Sequence, residues 1–77
     1  MNNKTTEQVL NKFKSLGNNI KAKRITRKLT QNQLAEKVDI SREHLAKIET
    51  AKRSVSLDLL IKIADNLDYK VKDFIDF

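Results

Sequence analysis

Apolar residues recur along this chain at steps of three and four positions, which is the spacing of an amphipathic α-helix. In the first part of the chain this stripe consists of Val9, Leu10, Phe13, Leu16 and Ile20. Thr5 and Gln8 have the spacing of a capping box, which predicts that the helix begins near residue 6. Because Gly17 lies inside the stripe, one helix over about residues 6–28 and two shorter helices both fit the pattern.

Two short helices are predicted next, and each begins with a polar capping residue. Thr30 and Gln33 form a second capping-box signature, which predicts a helix over about residues 31–37. Ser41 is a favourable N-cap for a further helix over about residues 42–50. The inward-facing positions of these two helices are Leu34, Ala35, Val38, Leu45 and Ile48.

The last third of the chain predicts one longer helix and a short final element. Ser56 is a suitable N-cap for a helix over residues 57–67, and Asp58 in its first turn suits the positive end of the helix dipole. The segment "VKDFIDF", residues 71–77, predicts a last short helix or a single turn. With one glycine and no proline in the chain, strands joined by tight turns are disfavoured, so we expect a compact all-α domain.

Only about four residues separate the helices predicted over 31–37 and 42–50. A gap that short makes them cross steeply, which is the geometry of a helix-turn-helix. A steep crossing requires a small side chain at the contact, and Ala35 is placed there. The apolar residues available to bury the corner are Val38, Ile40, Leu45 and Ile48. An ordinary pair of short helices in another kind of bundle is the alternative.

Composition narrows the class of protein further. A chain of 77 residues is one domain, and a small domain often gains its missing burial by forming oligomers. The absence of cysteine excludes disulfides and zinc–thiolate sites and fits a reducing compartment. No apolar run approaches 18 residues, and the first residues are polar, so we expect neither a membrane span nor a signal peptide. These features predict a cytoplasmic protein.

The net charge of +6 is unevenly distributed. Residues 1–53 contain 13 Lys/Arg and 5 Asp/Glu, a balance of +8, whereas residues 54–77 contain 3 and 5, a balance of −2. A basic first two-thirds of the chain favours a face that meets a polyanion, although general solubility is the simpler reading.

A catalytic or metal site could be sought around His44, the only histidine, with its carboxylate neighbours Glu36, Glu43 and Glu49. A metal site on a helix requires a second ligand three or four positions away. The residues at those distances from His44 are Ile40, Ser41, Lys47 and Ile48. With no cysteine, second histidine or glycine-rich phosphate loop, we expect no metal, no cofactor and no enzymatic activity.

The segments "LTQNQLAEKV", "IS", "HLAKIE", "KR" and "LLIKIADNL" resemble the Cro/phage-repressor (XRE-type) helix-turn-helix family over roughly residues 16–75. The resemblance implies a five-helix, lambda-repressor-like domain that binds DNA, is usually dimeric and regulates transcription. We therefore divide the chain into an N-terminal helical extension, residues 1–15, and a helix-turn-helix domain, residues 16–77. The family often has glycine where this chain has Asp39, Ala51 and Asp68. A left-handed backbone is often needed at such a corner, and aspartate tolerates it.

If the helix over about residues 42–50 lies in the major groove, its outward side chains face the base edges. Arg42 and Lys47 can donate to guanine, and Glu43 can accept from a cytosine amine or orient one of the two cations. His44 can reach a base or a phosphate. The family positions that match favour Arg42, Glu43 and Lys47 over His44 as base-reading residues, with a solvated helix face as the alternative.

Contacts to the DNA backbone are expected from Gln31, Asn32, Ser41, Lys52 and Arg53. Gln31 resembles the phosphate-binding glutamine of the family, at a helix N-terminus where an anion is favoured. Lys52 and Arg53 follow the recognition helix and should grip the opposite side of the groove. Asn32, Arg27 and Lys28 are weaker candidates, for which plain solvation is the alternative.

Arg24 and Glu49 have a structural role in this interpretation. Glu49 follows Leu45 by four positions, so it shares the inward edge of its helix, and a buried carboxylate requires a partner. The resemblance implies that Arg24 is this partner and that the pair links the first and third helices.

The resulting hypothesis is a homodimeric, sequence-specific regulator that binds a near-palindromic operator and either occludes a promoter or contacts RNA polymerase. The dimer contact is predicted in the region of the last two helices, with Phe74, Ile75 and Phe77. The alternative is a protein-interaction module, such as an antitoxin or a partner-binding regulator, which would use the same apolar tail. Size and "KRSVSLDLL" resemble the small controllers of restriction–modification systems, and a phage or plasmid repressor fits equally well.

Overall fold

The computed structural model describes residues 3–77, with side chains from residue 5 onward. The helices are α1 (Asn3–Thr26), α2 (Gln31–Lys37), α3 (Arg42–Glu49) and α4 (Leu57–Leu67), followed by a 3-10 helix (Val71–Phe74). The fold class is therefore all-α, as predicted, although the last element is a 3-10 turn instead of a fifth α-helix. Within the described residues, no helix has the length and hydropathy that crossing a lipid bilayer requires.

The first helix is continuous, which decides between the two possibilities that the sequence left open. It passes through Gly17 without a break and already includes Asn3. The capping box predicted at Thr5 and Gln8 is therefore wrong, because Thr5 lies inside the helix. At 1.5 Å per residue the 24 residues of α1 span about 36 Å, close to the longest dimension of the molecule, 39 Å.

Gly17 is needed for the close approach of α1 to the end of α3. A Cβ atom at this position would lie 2.6 Å from the carbonyl oxygen of Ile48 and 2.8 Å from that of Glu49. Any side chain would therefore push the two helices apart. The only glycine of the chain is used for its small size and not for an unusual backbone conformation.

The predicted N-terminal caps of the next three helices are present. Thr30 Oγ1 accepts a hydrogen bond from the backbone N–H of Gln33 at 3.1 Å, and Gln33 Oε1 accepts from the backbone N–H of Thr30 at 2.8 Å. Ser41 and Ser56 each accept from the backbone N–H three residues further on, at 3.0 and 3.2 Å. These caps fix where α2, α3 and α4 begin, because they satisfy N–H groups that have no partner inside a helix.

All four α-helices end in the same backbone motif, which uses no glycine. A residue with φ between 58° and 60° follows each helix, and these residues are Lys28, Asp39, Ala51 and Asp68. The next residue donates its backbone N–H to the carbonyl five positions earlier, at 2.8–3.1 Å, and these donors are Leu29, Ile40, Lys52 and Tyr69. This is the Schellman motif, in which the left-handed position is usually glycine. Aspartate at two of the four corners was expected to tolerate this conformation, whereas lysine and alanine adopt it at greater steric cost.

One hydrophobic core lies where the C-terminal half of α1 packs on the other helices. Its members are Leu16, Ile20, Leu34, Ala35, Val38, Leu45, Ile48, Leu59, Leu60, Ile63, Ala64, Leu67 and Phe74. Every inward position predicted for α2 and α3 is in this set. Phe74 is fully buried, so the prediction that its side chain belongs to a dimer contact is wrong: it packs inside the domain.

The apolar stripe of α1 divides into two parts. Leu16 and Ile20 are buried in the core, but Val9 and Leu10 are 46% and 50% exposed. No side chain from residue 5 to residue 14 is buried. The N-terminal half of α1 therefore extends beyond the core, with Phe13 half-buried and Val9 and Leu10 about half exposed.

Candidate nucleic-acid interface

The corner between α2 and α3 is short and tightly bonded. Asp39 occupies the left-handed position of the Schellman motif, and Ile40 donates its N–H to the carbonyl of Ala35 at 3.0 Å. Ala35 is 2% exposed, so its small side chain lies inside the domain, where α2 and α3 pack. The two short helices predicted on either side of the four-residue gap are therefore present and pack against each other, as a helix-turn-helix does.

The α3 helix has two faces of opposite character. Leu45, Ile48 and Glu49 are buried, with exposed fractions of 0%, 2% and 3%. The outward face consists of Arg42, Glu43, His44, Ala46 and Lys47, of which His44 and Ala46 are half-buried and the other three are exposed. The helix is thus fixed by one side and presents charged side chains on the other.

The buried carboxylate of Glu49 is paired as the resemblance implied. Arg24 Nε donates to Glu49 Oε2 at 2.7 Å and Arg24 Nη2 donates to Glu49 Oε1 at 3.0 Å, a bidentate arrangement. Arg24 Nη1 also donates to the carbonyl of Leu29 at 2.8 Å. The pair ties α1 to the last turn of α3, and among the described residues no buried side-chain nitrogen or oxygen lacks a hydrogen-bond partner.

A glutamine links this buried pair to the outward face. Gln31 Nε2 donates to Glu49 Oε1 at 2.9 Å, and Gln31 Oε1 accepts a long hydrogen bond of 3.5 Å from Arg42 Nη1. Gln31 is therefore held by the ion pair and touches the first residue of α3. Sequence spacing did not predict this link, because Gln31 lies on α2 and its partners, 11 and 18 positions further on, lie on α3.

The other charged residues of the outward face are loosely held. Glu43 Oε1 and Lys47 Nζ form an i,i+4 ion pair at 3.4 Å. Their side chains remain 76% and 48% exposed, so water screens this pair. His44 donates its backbone N–H to Ser41 Oγ at 3.0 Å, and among the described residues its ring has no hydrogen-bond partner. The exposed side chains of Glu43 and Lys47 can therefore each change partner at little cost in free energy.

The loop after α3 holds two cations in a defined position. Lys52 and Arg53 both donate their backbone N–H to the carbonyl of Lys47, at 2.8 and 3.2 Å. At the ends of α1, α2 and α4 the residue after the left-handed position is apolar and leans on the core: Leu29, Ile40 and Tyr69. The corresponding residue after α3 is Lys52, which is exposed. At the ends of α1, α2 and α4 the Schellman motif packs an apolar side chain against the core. After α3 the same motif directs the ammonium group of Lys52 towards solvent.

The remaining predicted residues have simple positions. Asn32 is exposed in the first turn of α2, directly after Gln31, and Ser41 is exposed as the N-cap of α3. Arg27, a weak candidate for a phosphate contact, is already engaged: its Nε donates to the carbonyl of Leu67 at 2.7 Å and its guanidinium lies 4.2 Å from the ring centre of Tyr69. Arg27 therefore caps the end of α4.

A helix-turn-helix whose second helix is anchored by a buried ion pair and presents arginine, glutamate and lysine outward defines a DNA-binding class of protein. The family model described as "Helix-turn-helix" matches residues 20–74. The chain belongs to this family, in its XRE-type branch of DNA-binding transcriptional regulators.

Similar proteins include regulators from several bacterial systems. The immunity repressor protein of Bacillus phage phi105 is 47% identical over 57 residues, which cover 74% of this chain and 40% of the repressor. The chain thus matches about two fifths of the length of that relative. The restriction-modification controller protein C.AhdI of Aeromonas hydrophila has a TM-score of 0.78 at 26% identity, over 80% of this chain and 94% of that one. The clp gene regulator ClgR of Corynebacterium glutamicum has a TM-score of 0.77 at 28% identity, over 79% of this chain and 65% of that one.

Proposed function

We propose that this chain is a sequence-specific regulator of transcription that places α3 in the major groove of double-stranded DNA. The observation that carries the proposal is the division of α3 into a buried face and an outward face with Arg42, Glu43 and Lys47 exposed. The major groove is wide enough to admit an α-helix, and these side chains have the donors and acceptors that base edges require.

The base-reading roles follow from how each side chain is held. Arg42 lies beside the amide of Gln31, which is itself fixed by Glu49, so its guanidinium is directed before DNA arrives. A guanidinium can bind the O6 and N7 atoms of guanine with two hydrogen bonds. Glu43 and Lys47 can exchange their screened mutual pair for a cytosine amine and a guanine acceptor. Because His44 is half-buried, we assign it a smaller part in base recognition than the three exposed side chains.

Contacts to the DNA backbone are assigned to residues on both sides of α3. Lys52 and Arg53 supply two positive charges from a loop that the carbonyl of Lys47 holds in place. Gln31 donates one hydrogen of its amide to Glu49, and the second hydrogen of the same group can reach a phosphate. Asn32 and Ser41 are the remaining contacts. These interactions position the protein and carry no sequence information.

The regulator would act as a homodimer on a near-palindromic operator, with two copies of α3 in successive major grooves about 34 Å apart. Bound near a promoter, it would occlude the site or contact RNA polymerase. The phage repressor and the restriction–modification controller among the similar proteins support a role in controlling a small genetic system.

Selection of bound fragments from a random DNA pool tests this proposal directly. We expect two inverted half-sites whose centres are about 10–10.5 base pairs apart. Enrichment of no sequence, together with equal binding to all fragments, would overturn the base-reading assignment. Enrichment of a single half-site would overturn the dimer while leaving the reading helix in place.

Salt dependence provides a second test with a numerical expectation. Two cationic phosphate contacts per protomer give four per dimer, and each lowers the slope of log K against log salt concentration by about 0.9, for a total of about −3.6. The Lys52→Ala variant removes two of the four and should reduce the slope to about −1.8 while weakening all sequences alike. An altered base preference in that variant would contradict its assignment to the backbone.

A protein-interaction module is the second candidate. Its support is the apolar tail, where Ile75 and Phe77 are 44% and 52% exposed. Such a role does not exclude DNA binding, and a chain of net charge +6 attracts DNA of any sequence. A chain that acts only as an interaction module would enrich no sequence from the random pool and would show a shallower salt slope than the one expected for a DNA-binding dimer.

A further inference from the structure

We propose that a row of two lysines on α1, Lys14 and Lys21, binds phosphates of the same DNA duplex whose bases α3 reads. The proposal deepens the proposed function and rests on it for the identity of the polyanion. It extends the backbone contacts from the helix-turn-helix and the loop after α3 to a third element of the fold.

The stretch from residue 8 to residue 35, most of which is α1, has charge of one sign only. It contains seven Lys/Arg and no Asp/Glu. A helix surface that serves solubility alone usually intersperses both signs, which also provides stabilising pairs three and four positions apart. Because no acidic residue balances these cations, they create a positive field along α1 that attracts a polyanion.

Three of the seven cations already have partners inside the domain. Arg24 forms the buried ion pair, and Arg27 caps the end of α4. The ammonium nitrogen of Lys23 lies 4.8 Å from the ring centre of Tyr69. Four exposed lysines remain, and none of them has an ion pair or a ring contact among residues 5–77: Lys12, Lys14, Lys21 and Lys28. Their charge is available to a ligand.

Two of these four lysines flank the point where α1 meets α3. Lys14 precedes Gly17 by three positions and Lys21 follows it by four, so all three lie on one side of the helix. Gly17 is the residue that approaches the carbonyl oxygens at the end of α3. Lys21 is also three positions before Arg24, which is bonded to the same end of α3. The lysine row therefore runs beside the helix that we place in the major groove.

Spacing and direction separate this row from another exposed lysine of the same helix. Lys14 and Lys21 are seven residues, about 10.5 Å, apart along α1, so each can bind a different phosphate. Lys12 precedes Lys14 by two positions, which turns its side chain about 200° around the helix. It borders a groove that Val9 and Phe13 also line. Lys12 is therefore a matched control with the same residue type, helix and exposure class.

The slope of log K against log salt concentration counts the extra contacts. Two further phosphate contacts per protomer steepen the slope expected for the dimer from about −3.6 to about −7.2, and Lys52→Ala removes about 1.8 from either value. The double variant, Lys14→Gln with Lys21→Gln, should return the slope to about −3.6 with its base preference unchanged. Lys12→Gln should leave it near −7.2. A double variant with the wild-type slope, or an equal change per lysine removed at all three positions, would overturn the proposal.

Ethylation interference identifies the contacted phosphates directly. The wild type and Lys12→Gln should share one set of phosphates whose ethylation blocks binding, and the double variant should lose members of that set. An unchanged set in the double variant would assign any change in slope to overall charge and reject the contact.

Thermal unfolding followed by circular dichroism examines a purely structural role. Cations near the carbonyl end of a helix stabilise it, so Lys14 and Lys21 could act only on the end of α3. In that case the double variant melts at a lower temperature and keeps the wild-type salt slope, which contradicts the proposal. We expect the reverse result, with little change in melting temperature and a shallower slope, because glutamine preserves the helix.

A failure of this proposal differs from a failure of the proposed function. If α3 does not read bases, the wild type selects no operator, and the slopes of the same variants are then compared on duplexes of random sequence. If only the lysine row is wrongly assigned, the wild type still prefers its operator and the double variant binds that operator as the wild type does.

Discussion

The third helix carries two ion pairs that share their chemistry and differ in their surroundings. On its inward edge Glu49 meets Arg24 at 2.7 Å, with side chains 1% and 8% exposed. On its outward face Glu43 meets Lys47 at 3.4 Å, with side chains 76% and 48% exposed. The first pair has lost its water and must be fully bonded, whereas the second is hydrated and screened by salt.

The difference shows how one short helix can be both fixed and adaptable. Glu49 is bonded to Arg24 and to Gln31, so its carboxylate cannot leave without stranding two donors. Glu43 has one weak partner on its own helix and can release it for a base. Two glutamates six positions apart therefore differ in what they can do: Glu49 is fixed inside the domain, whereas Glu43 is free to take the base-reading role that we propose for it.

The largest effect is expected from Glu49→Gln. Removing the negative charge leaves the Arg24 guanidinium buried without its counter-charge, which should lower the free energy of unfolding by about 3–5 kcal/mol. Urea denaturation followed by circular dichroism measures the change. Replacing Arg24 and Glu49 together by methionine should recover most of the loss, because no buried charge then remains. A loss below about 1 kcal/mol in the single variant would mean that the pair is not desolvated.

The Gly17→Ala variant examines the backbone next to the buried pair. The new Cβ would lie 2.6 Å from the carbonyl oxygen of Ile48, so α1 and α3 must separate, at a cost of about 1–3 kcal/mol of stability. Asn18→Ala is the matched control, since its side chain is exposed one position further along the same helix and alanine favours helix formation. Equal stability in the two variants would show that the helices can move apart freely.

The Arg42→Ala variant should affect DNA binding and not folding. Loss of a bidentate contact costs about 1–3 kcal/mol of affinity and relaxes the preference at one base pair. The melting temperature should stay nearly constant because the side chain is exposed. Competition binding with single-base operator variants measures the preference. Uniform weakening across all these sequences would assign Arg42 to the DNA backbone.

The smallest change in stability is expected from Glu43→Gln, which makes the same chemical substitution on the outward face. The exposed pair contributes about 0–1 kcal/mol, so the denaturation midpoint should hardly move. Affinity for DNA should be equal or greater, since one negative charge near the phosphates is removed, and the preference at one base pair should change. A destabilisation comparable with that of Glu49→Gln would remove the distinction between the two pairs.

Local signals predicted most of the fold. Hydroxyl caps at Thr30, Ser41 and Ser56 mark helix starts because a short side chain bonds the free N–H groups directly, and the structure contains all three. Helix ends were harder, because the left-handed residues at two corners are Lys28 and Ala51 and not glycine. Tertiary packing imposes the left-handed backbone conformation at Lys28 and Ala51, so the local sequence does not predict it.

The candidate site was partly predictable for the same reason. The outward face of α3 follows from helical periodicity, but the Gln31 link depends on how two helices cross. The stripe on α1 likewise predicted a helix without indicating how far the core extends along it. Val9 and Leu16 lie seven positions apart on the same side of the helix, yet only Leu16 is buried, while Val9 is 46% exposed. Periodicity specifies which side of a helix is apolar, and only the assembled domain shows what lies against it.

The recognition helix has eight residues, too few for an isolated helix to persist in water. Its shape is maintained by Leu45, Ile48 and Glu49 in the core, so the outward side chains of α3 are in place only while the whole domain is folded. Regulation by this protein should therefore be sensitive to temperature. A core substitution such as Leu45→Ala, which changes no residue on the outward face, should give a regulator that works in the cold and releases its operator on warming.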